Sequence, residues 1–157
     1  MTLLPEARQF KAILEYTYGL GVADLLPWNE LKFVRSRRSQ RLKHVKKGGR
    51  IFATIKEDGT LALSMNCMEY LYKTGKLEQF KVVASDIASE FVSKGGNLFC
   101  RHVVSAGREI RPGMDVPVTD KKGNLIATGK AVLPYRYMTV MKRGLAVKVR
   151  DAEQDTE

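Results

Sequence analysis

The apolar positions in the first half of the chain follow a helical spacing first and strand-like spacings afterwards. From Pro5 to Tyr18 they recur every three or four residues, which predicts an amphipathic helix with Pro5 in its first turn. Strands are predicted over 31–35, 42–45, 50–56 and 60–64. The pair Asp58-Gly59 between the last two strands predicts a type I′ hairpin turn. A second helix is expected over 65–73.

Beyond about residue 78 the pattern changes to short apolar runs separated by glycine and proline. A helix capped by Ser85 or Asp86 and carrying the apolar Ile87, Phe91 and Val92 is expected to end before Gly95. Strands are predicted over 80–84, 98–104, 115–119, 125–132 and 145–149. Many short strands without alternating helices predict a small barrel or curled sheet, and therefore an α+β fold for the whole chain. The expected domains are 1–78 and 79–150, with an acidic, disordered tail at 151–157.

The charge of the chain indicates a class of partner, because the net charge is +10 and the isoelectric point is about 9.7. Residues 31–56 contain ten Lys or Arg and no Asp or Glu. A polyanion is the expected partner, with nucleic acid ahead of an anionic membrane. The alternative for such a segment is a solvated strand face. The predicted phosphate contacts in it are Arg35, Arg37, Arg38, Arg41 and Lys43.

A second candidate contact follows the predicted helix of the C-terminal half. Two glycines there let the backbone approach a ligand closely, and neighbouring polar side chains could meet phosphates or 2′-hydroxyls. Gly95 is equally consistent with an ordinary helix C-cap. The candidate residues of this segment are Lys94, Gly95, Gly96, Asn97 and Arg101. Three further cations, Arg111, Lys142 and Arg143, add positive surface charge.

The sequence offers no arrangement typical of catalysis, of a metal site or of a cofactor. Cys67 and Cys100 are isolated from each other, and the two histidines, His44 and His102, lack an obvious nucleophile or carboxylate partner. No apolar run approaches the length of a membrane-spanning helix. We therefore expect a cytoplasmic protein without catalytic residues, metal, cofactor or membrane partner.

Several of these motifs, taken in order, resemble a known family. Residues 79–150 resemble a PUA domain in the helix followed by Lys94-Gly95-Gly96-Asn97-Leu98-Phe99, the turn Ile110-Arg111-Pro112-Gly113, and the strand Ile126-Ala127-Thr128-Gly129-Lys130-Ala131. Upstream, Tyr18–Leu26, Arg35–Val45 and Ala53–Ser64 resemble the domains that precede PUA in archaeal tRNA-guanine transglycosylases and archaeosine synthases. The base-exchanging barrel of that family, with its carboxylates and zinc site, has no counterpart in this sequence.

The resemblance implies an N-terminal α/β sandwich-like domain followed by a PUA pseudobarrel of short, mostly antiparallel strands. It also implies an archaeal, cytoplasmic protein that binds tRNA, alone or as an accessory subunit that presents tRNA to a separately encoded modification enzyme of the archaeosine pathway. Two alternatives stay open: a ribosome-associated or translation-factor-like PUA protein, and an RNA-modifying enzyme with an unrecognised site at the domain junction.

Overall fold

The structure is a computed structural model that describes residues 4–153. The chain divides after Lys76 into two compact units, which we call the N-terminal and C-terminal units. Within the described range, no helix combines the length and the apolar character needed to cross a membrane. Each unit has its own sheet.

The N-terminal unit is a four-stranded antiparallel meander with two helices. Its elements are α1 (Pro5–Tyr18), β1 (Leu31–Arg35), β2 (Leu42–Lys47), β3 (Arg50–Ile55), β4 (Leu61–Leu63) and α2 (Met65–Tyr72). The strand order is β1-β2-β3-β4. Helix α1 begins with Pro5 in its first turn and ends at Gly19, whose φ of 111° is readily adopted by glycine. The predicted first helix and the α+β class are confirmed.

Aromatic side chains join both helices of this unit to its sheet. Phe10 of α1 packs edge-on against Trp28 and Phe33, with ring centroids 6.1 and 6.3 Å apart. Tyr70 of α2 lies 6.0 Å from the ring of Phe52 in β3. Trp28 therefore serves the packing of α1, and both helices contact the sheet through Phe33 and Phe52.

The turn between β3 and β4 differs from the predicted type I′ turn. Gly59 has a positive φ of 87°, but Asp58 does not, whereas a type I′ turn needs positive φ at both central residues. The amide of Gly59 instead donates to the carbonyl of Lys56, and the Asp58 carboxylate accepts from the amide and the hydroxyl of Thr60 at 3.0 and 2.6 Å. The side chain of Asp58 stabilises the longer loop, so the type I′ prediction is wrong.

The C-terminal unit is a curled six-stranded sheet with two short helices. Its elements are β5 (Val82–Ala84), α3 (Asp86–Val92), β6 (Leu98–Phe99), β7 (Val103–Ala106), β8 (Asp115–Thr119), β9 (Leu125–Ala131), α4 (Tyr135–Met138) and β10 (Leu145–Ala152). The strand order is β6-β10-β9-β8-β5-β7, and only the β5–β8 pair among these strands is parallel. The predicted pseudobarrel of mostly antiparallel strands is confirmed.

Three local predictions in this unit need correction. The strand expected over 98–104 is interrupted by a 3₁₀ turn at Cys100–His102, so that β6 and β7 lie at opposite edges of the sheet. Of the three apolar residues expected on α3, Val92 is buried, but Ile87 and Phe91 are exposed and Ala88 is buried in their place. The tail does not begin at Asp151, because β10 continues to Ala152 through pairing with β9; the tail residues 154–157 lie outside the described range.

Candidate nucleic-acid interface

The predicted phosphate contacts of the N-terminal unit surround one hairpin loop, residues 36–40, between β1 and β2. The amide of Ser36 donates to the carbonyl of Arg41, and the amide of Gln40 donates back to the carbonyl of Ser36, each at 2.8 Å. Gln40 has a φ of 61°, the only positive φ outside glycine in the described residues. This tight loop holds Arg37 and Arg38 at an exposed tip.

Two of the five predicted cations in this region are already bonded to the protein itself. Arg35 donates to the carboxylate of Glu6 at 3.0 Å and to the carbonyl of Gln40 at 2.7 Å. Hydrogen bonding to its own backbone amide, followed by that to Arg35, holds the pKa of Glu6 below its usual value. Arg41 donates to the carbonyl of Ile55 at 2.8 Å and so ties the hairpin loop to β3. These two side chains position the loop.

Two of the remaining three cations, Arg38 and Lys43, border an open concavity of about 700 Å³, which Arg41 also lines. Its lining residues are Ser36, Arg38, Ser39, Arg41, Lys43 and Glu57. Arg38 and Lys43 are exposed, and the two serines add hydroxyl groups that can donate to phosphate oxygens. The concavity therefore offers cationic groups and hydrogen-bond donors at one place, with a single carboxylate at its border.

The field around β2 is positive as well. The pKa of His44 lies below its usual value, first because of burial and then because of the nearby charges of Lys43, Lys46 and Arg41. The neutral imidazole of His44 lies 3.0 Å from the hydroxyl of Thr54 through Nδ1. The positive charges around β2 that disfavour protonation of His44 would attract a phosphate.

In the C-terminal unit, the glycines after α3 have structural reasons of their own. Gly95 has a φ of 103° and ends the helix, as the C-cap alternative predicted. A Cβ on Gly96 would lie 2.1 Å from the ring of Phe91, so a larger residue here would displace that exposed side chain. The side-chain oxygen of Asn97 accepts from the amide of Val149 at 2.9 Å. These contacts fix the path of the loop next to β10.

The loop leads directly to a cavity lined by cations and one aromatic ring. Strand β6 pairs with β10, and the amide of Cys100 donates to the carbonyl of Gly144 at 2.9 Å, which joins two distant parts of the sequence. The cavity measures about 230 Å³, and we call it the aromatic cavity; it is lined by Phe99, Arg101, Lys142, Arg143 and Gly144. The side chain of Phe99 is 46% exposed there. An exposed ring among cations is suited to a stacked base and its phosphates.

The structure thus gathers Arg101, Lys142 and Arg143 from the predicted site and leaves two other cations apart. Lys94 pairs loosely with Glu90 at 3.9 Å on the exposed side of α3. Arg111 is exposed in the turn before β8 and does not line the aromatic cavity. Phe99 was not among the predicted site residues. An aromatic residue in an apolar stretch is expected in the core, and only the strand pairing shows that Phe99 lies in the edge strand β6.

Cys100 and His102 belong to residue types that are common in active sites, and both have structural surroundings here. Burial raises the pKa of the Cys100 thiol, which keeps it protonated. His102 lies 3.3 Å from the hydroxyl of Ser85, which also caps α3. Among residues 4–153, no group of three or more His, Cys, Asp or Glu side chains is placed to hold a metal ion.

Comparison with protein families assigns both units. Residues 8–78 match the patch-forming domain C2 of tRNA-guanine transglycosylase, and residues 80–152 match the PUA domain. The tRNA-guanine(15) transglycosylase of Pyrococcus abyssi is 35% identical over 144 residues, which cover 91% of this chain and 24% of that protein. The chain thus spans about a quarter of the length of this relative, and it matches the C-terminal part without the catalytic barrel.

Solved structures show the same fold over nearly the whole chain. A hypothetical protein from Pyrococcus horikoshii superposes with a TM-score of 0.71 at 21% identity, covering 96% of this chain and 91% of the other. A conserved PUA domain protein from Thermoplasma acidophilum gives a TM-score of 0.63 at 22% identity, covering 96% and 90%. The chain is therefore a PUA-domain protein in which a transglycosylase-type C2 domain precedes the PUA domain, as in the C-terminal part of archaeal tRNA-guanine transglycosylases.

Proposed function

We propose that this protein binds tRNA in the cytoplasm and presents it to a separately encoded modification enzyme. The aromatic cavity carries the proposal, because it places the exposed Phe99 ring beside Arg101, Lys142 and Arg143 in a space of about 230 Å³. This volume is larger than a single nucleobase, so one unpaired base can enter it. The relatives that contain the same two domains are named for an activity on tRNA.

In the proposed complex the aromatic cavity takes an unpaired nucleotide of the RNA. The base stacks on Phe99, and Arg101 and Arg143 bind the flanking phosphates through their guanidinium groups. Stacking accepts any base, so this contact selects an unpaired strand and leaves the sequence unread. The loop of Gly95, Gly96 and Asn97 leads into β6 and is bonded to β10 through Asn97. It thereby fixes the position of Phe99 at the cavity.

The hairpin loop of the N-terminal unit supplies a second contact to the RNA backbone. Arg37, Arg38 and Lys43 neutralise phosphates, while Arg35 and Arg41 keep the loop in shape. Two contacts on separate units are better matched to a folded RNA than to a short linear strand. Holding the tRNA is then the task of this chain, and the chemistry is that of the partner enzyme.

Binding measurements over a range of salt concentrations test the proposal. Purified protein is titrated into fluorescently labelled, unmodified tRNA and into duplex DNA of the same length. We expect a steep loss of affinity with salt for both and a preference for tRNA at physiological salt, because the cations neutralise phosphates and the aromatic cavity needs an unpaired base. Equal affinity for the two would contradict the proposal.

Crosslinking in cells identifies the RNA itself. Ultraviolet crosslinking followed by sequencing of the attached RNA should recover tRNA fragments, and the Phe99→Ala variant should recover fewer of them. Predominant recovery of ribosomal RNA would overturn the tRNA assignment in favour of a role on the ribosome. Co-purification with a tRNA-modifying enzyme is tested before and after nuclease treatment. An enzyme that stays after RNA digestion binds the protein itself, whereas one that is lost is held only through the RNA.

A further inference from the structure

One side of the N-terminal sheet carries a set of residues that the proposed contacts do not use. We call it the outer face. It consists of Lys32, Val34, His44, Lys46, Ile51, Thr54 and Ala62. Strand register places them together, since side chains of directly paired residues project to the same side of an antiparallel sheet. The helices pack against aromatic residues outside this set, Phe33 and Phe52.

The outer face is ordered in two rows across the strands. Val34 pairs with His44, His44 with Thr54, and Thr54 with Ala62. The contact of 3.0 Å between His44 Nδ1 and Thr54 Oγ1 shows that neighbours in this row meet. The second row joins Lys32, Lys46 and Ile51. A bulge in the β2–β3 register lies between the two rows, so Ile51 and Thr54 are three residues apart on β3, and the imidazole of His44 lies near the middle of the face.

The chemistry of the outer face combines apolar surface with positive charge. Val34 is 36% exposed and Ile51 is 44% exposed, although both belong to residue types that strands usually bury. The ionisable side chains of the face are Lys32, His44 and Lys46, none of which is acidic. A surface of this kind can place flat bases against apolar and imidazole groups and bind phosphates at its lysines.

We propose that the outer face is a platform for an unpaired stretch of RNA, with a base stacked on His44 and phosphates bound by Lys32 and Lys46. This inference rests on the proposed function and extends it to a surface separate from the hairpin loop and the aromatic cavity. An RNA strand is favoured over a protein partner because residues 31–56 contain ten cations and no carboxylate. A duplex turns its bases inward, so it cannot stack a base on His44 and binds this face less well.

Matched charge variants test the role of the lysines. Lys32→Ala with Lys46→Ala removes two charges from the outer face. The control Lys47→Ala with Lys73→Ala also removes two charges from the same unit, where Lys47 pairs with Glu30 at 3.8 Å and Lys73 lies over the ring of Tyr70. Affinity for a labelled 12-nucleotide single-stranded RNA should fall at least fivefold in the first variant and less than twofold in the control. A duplex of the same sequence should lose less than the single strand.

The stacking role of His44 needs a readout that charge alone would not move. His44→Ala should weaken binding of the 12-nucleotide RNA about threefold, whereas His44→Phe should restore most of the affinity because the ring is kept. In the wild-type protein, addition of the same RNA should shift the NMR signals of the His44 imidazole and of the amides of Val34 and Thr54. The NMR experiment needs no variant, so it decides the question even where a substitution disturbs folding.

The outcomes separate this inference from the proposed function. Equal losses in the outer-face pair and the control pair, or NMR shifts confined to the hairpin loop and the C-terminal unit, would overturn the platform. If tRNA binding is then still lost on Phe99→Ala, the proposed function stands without it. If the wild-type protein binds no RNA, the proposed function fails first. Wild-type retention of another protein through the outer face, insensitive to added RNA, would also overturn the platform.

Discussion

The two candidate RNA contacts obtain their positive charge in opposite ways. In the N-terminal unit the cations are adjacent in sequence, and two of them, Arg35 and Arg41, are bonded to the protein's own carboxylate and carbonyl groups. In the C-terminal unit Arg101 and Arg143 come from different segments that β6 and β10 bring together beside Phe99. The density of charge along a sequence therefore overstates the charge available to a ligand in one region and understates it in the other.

The comparison also separates two modes of recognition. The hairpin loop presents cations and serine hydroxyls on an open surface, which suits a phosphate backbone. The aromatic cavity adds an exposed ring, which suits an unpaired base. We expect variants of the aromatic cavity to change selectivity among RNAs and variants of the hairpin loop to change affinity for all of them.

The largest expected effect comes from the aromatic cavity. Phe99→Ala combined with Arg143→Ala should lower the affinity for tRNA about 30-fold at physiological salt, through loss of one stacked base and one phosphate contact. Fluorescence anisotropy with labelled tRNA measures it. The control Tyr16→Ala with Arg8→Ala removes one exposed aromatic and one exposed cation from α1. Similar losses in both double variants would show that bulk charge, without the cavity, explains binding.

The second prediction concerns the cations that hold the hairpin loop. Arg41→Ala should lower the free energy of unfolding by about 2 kcal/mol, because a charged hydrogen bond to the carbonyl of Ile55 is lost. Arg37→Ala, which removes an exposed side chain from the same loop, should change it by less than about 0.5 kcal/mol. Urea denaturation of the two variants checks this. Equal stabilities would contradict the distinction between holding and binding cations.

The third prediction turns the same distinction toward RNA. Arg38→Ala should reduce tRNA affinity about threefold and reduce the slope of log affinity against log salt by about one, as expected for one lost phosphate contact. Arg35→Ala should leave that slope almost unchanged, because Glu6 already neutralises this guanidinium. Titrations at four or more salt concentrations give the slopes. A larger change for Arg35→Ala than for Arg38→Ala would reverse the assignment.

A smaller effect concerns pH and the turn between β8 and β9. Burial raises the pKa of Asp120, but hydrogen bonds from Asn124 and Lys122 outweigh it, so the pKa lies below its usual value near 3.8. The unfolded chain then binds the proton more tightly, and this stabilisation is present above pH 3.8 and lost as the pH falls through the lower folded value. The Asp120→Asn variant should be less stable than the wild type at pH 5, and this difference in the free energy of unfolding should become smaller at pH 3.

The smallest effect concerns the pH dependence of the turn between β3 and β4 in the N-terminal unit. The pKa of Asp58 is lowered by hydrogen bonds from the side chain and then the amide of Thr60, and its carboxylate is exposed. Asp58→Asn should therefore show a weaker pH dependence than Asp120→Asn. Thermal unfolding from pH 7 to pH 3 measures both. A stronger dependence for Asp58→Asn would show that exposure does not screen the charge as expected.

Elements with a clear period were predictable from sequence, and contacts that depend on register were not. The period of α1 and the paired strands of the N-terminal unit follow from Pro5, the apolar spacing and the turn residues. For α3 the helix was predictable but its buried side was not, since its small Ala88 faces the sheet while Phe91 covers Gly96. Tertiary packing there overrides the ranking of side chains by hydrophobicity.

The candidate site was predictable in its cations and not in its assembly. Charge and the glycine loop pointed to Arg38, Lys43 and Arg101, but nothing in their spacing shows which guanidinium groups the protein uses internally. Phe99 gains its exposed position from the short pairing of β6 with β10, and no local pattern contains that information. The outer face was missed for the same reason: its rows exist only once three strand registers are known.

The hydrogen bond from the amide of Val149 to the side chain of Asn97 has a consequence for protein engineering. The loop after α3 cannot be exchanged as an independent module, because the last strand depends on it for an acceptor. A grafted loop without a carbonyl oxygen at this position would leave a part-buried amide unsatisfied, and β10 would lose order beside Arg150. Loop libraries for new RNA specificities should therefore vary Ser93 and Lys94 and keep Gly95, Gly96 and Asn97 fixed.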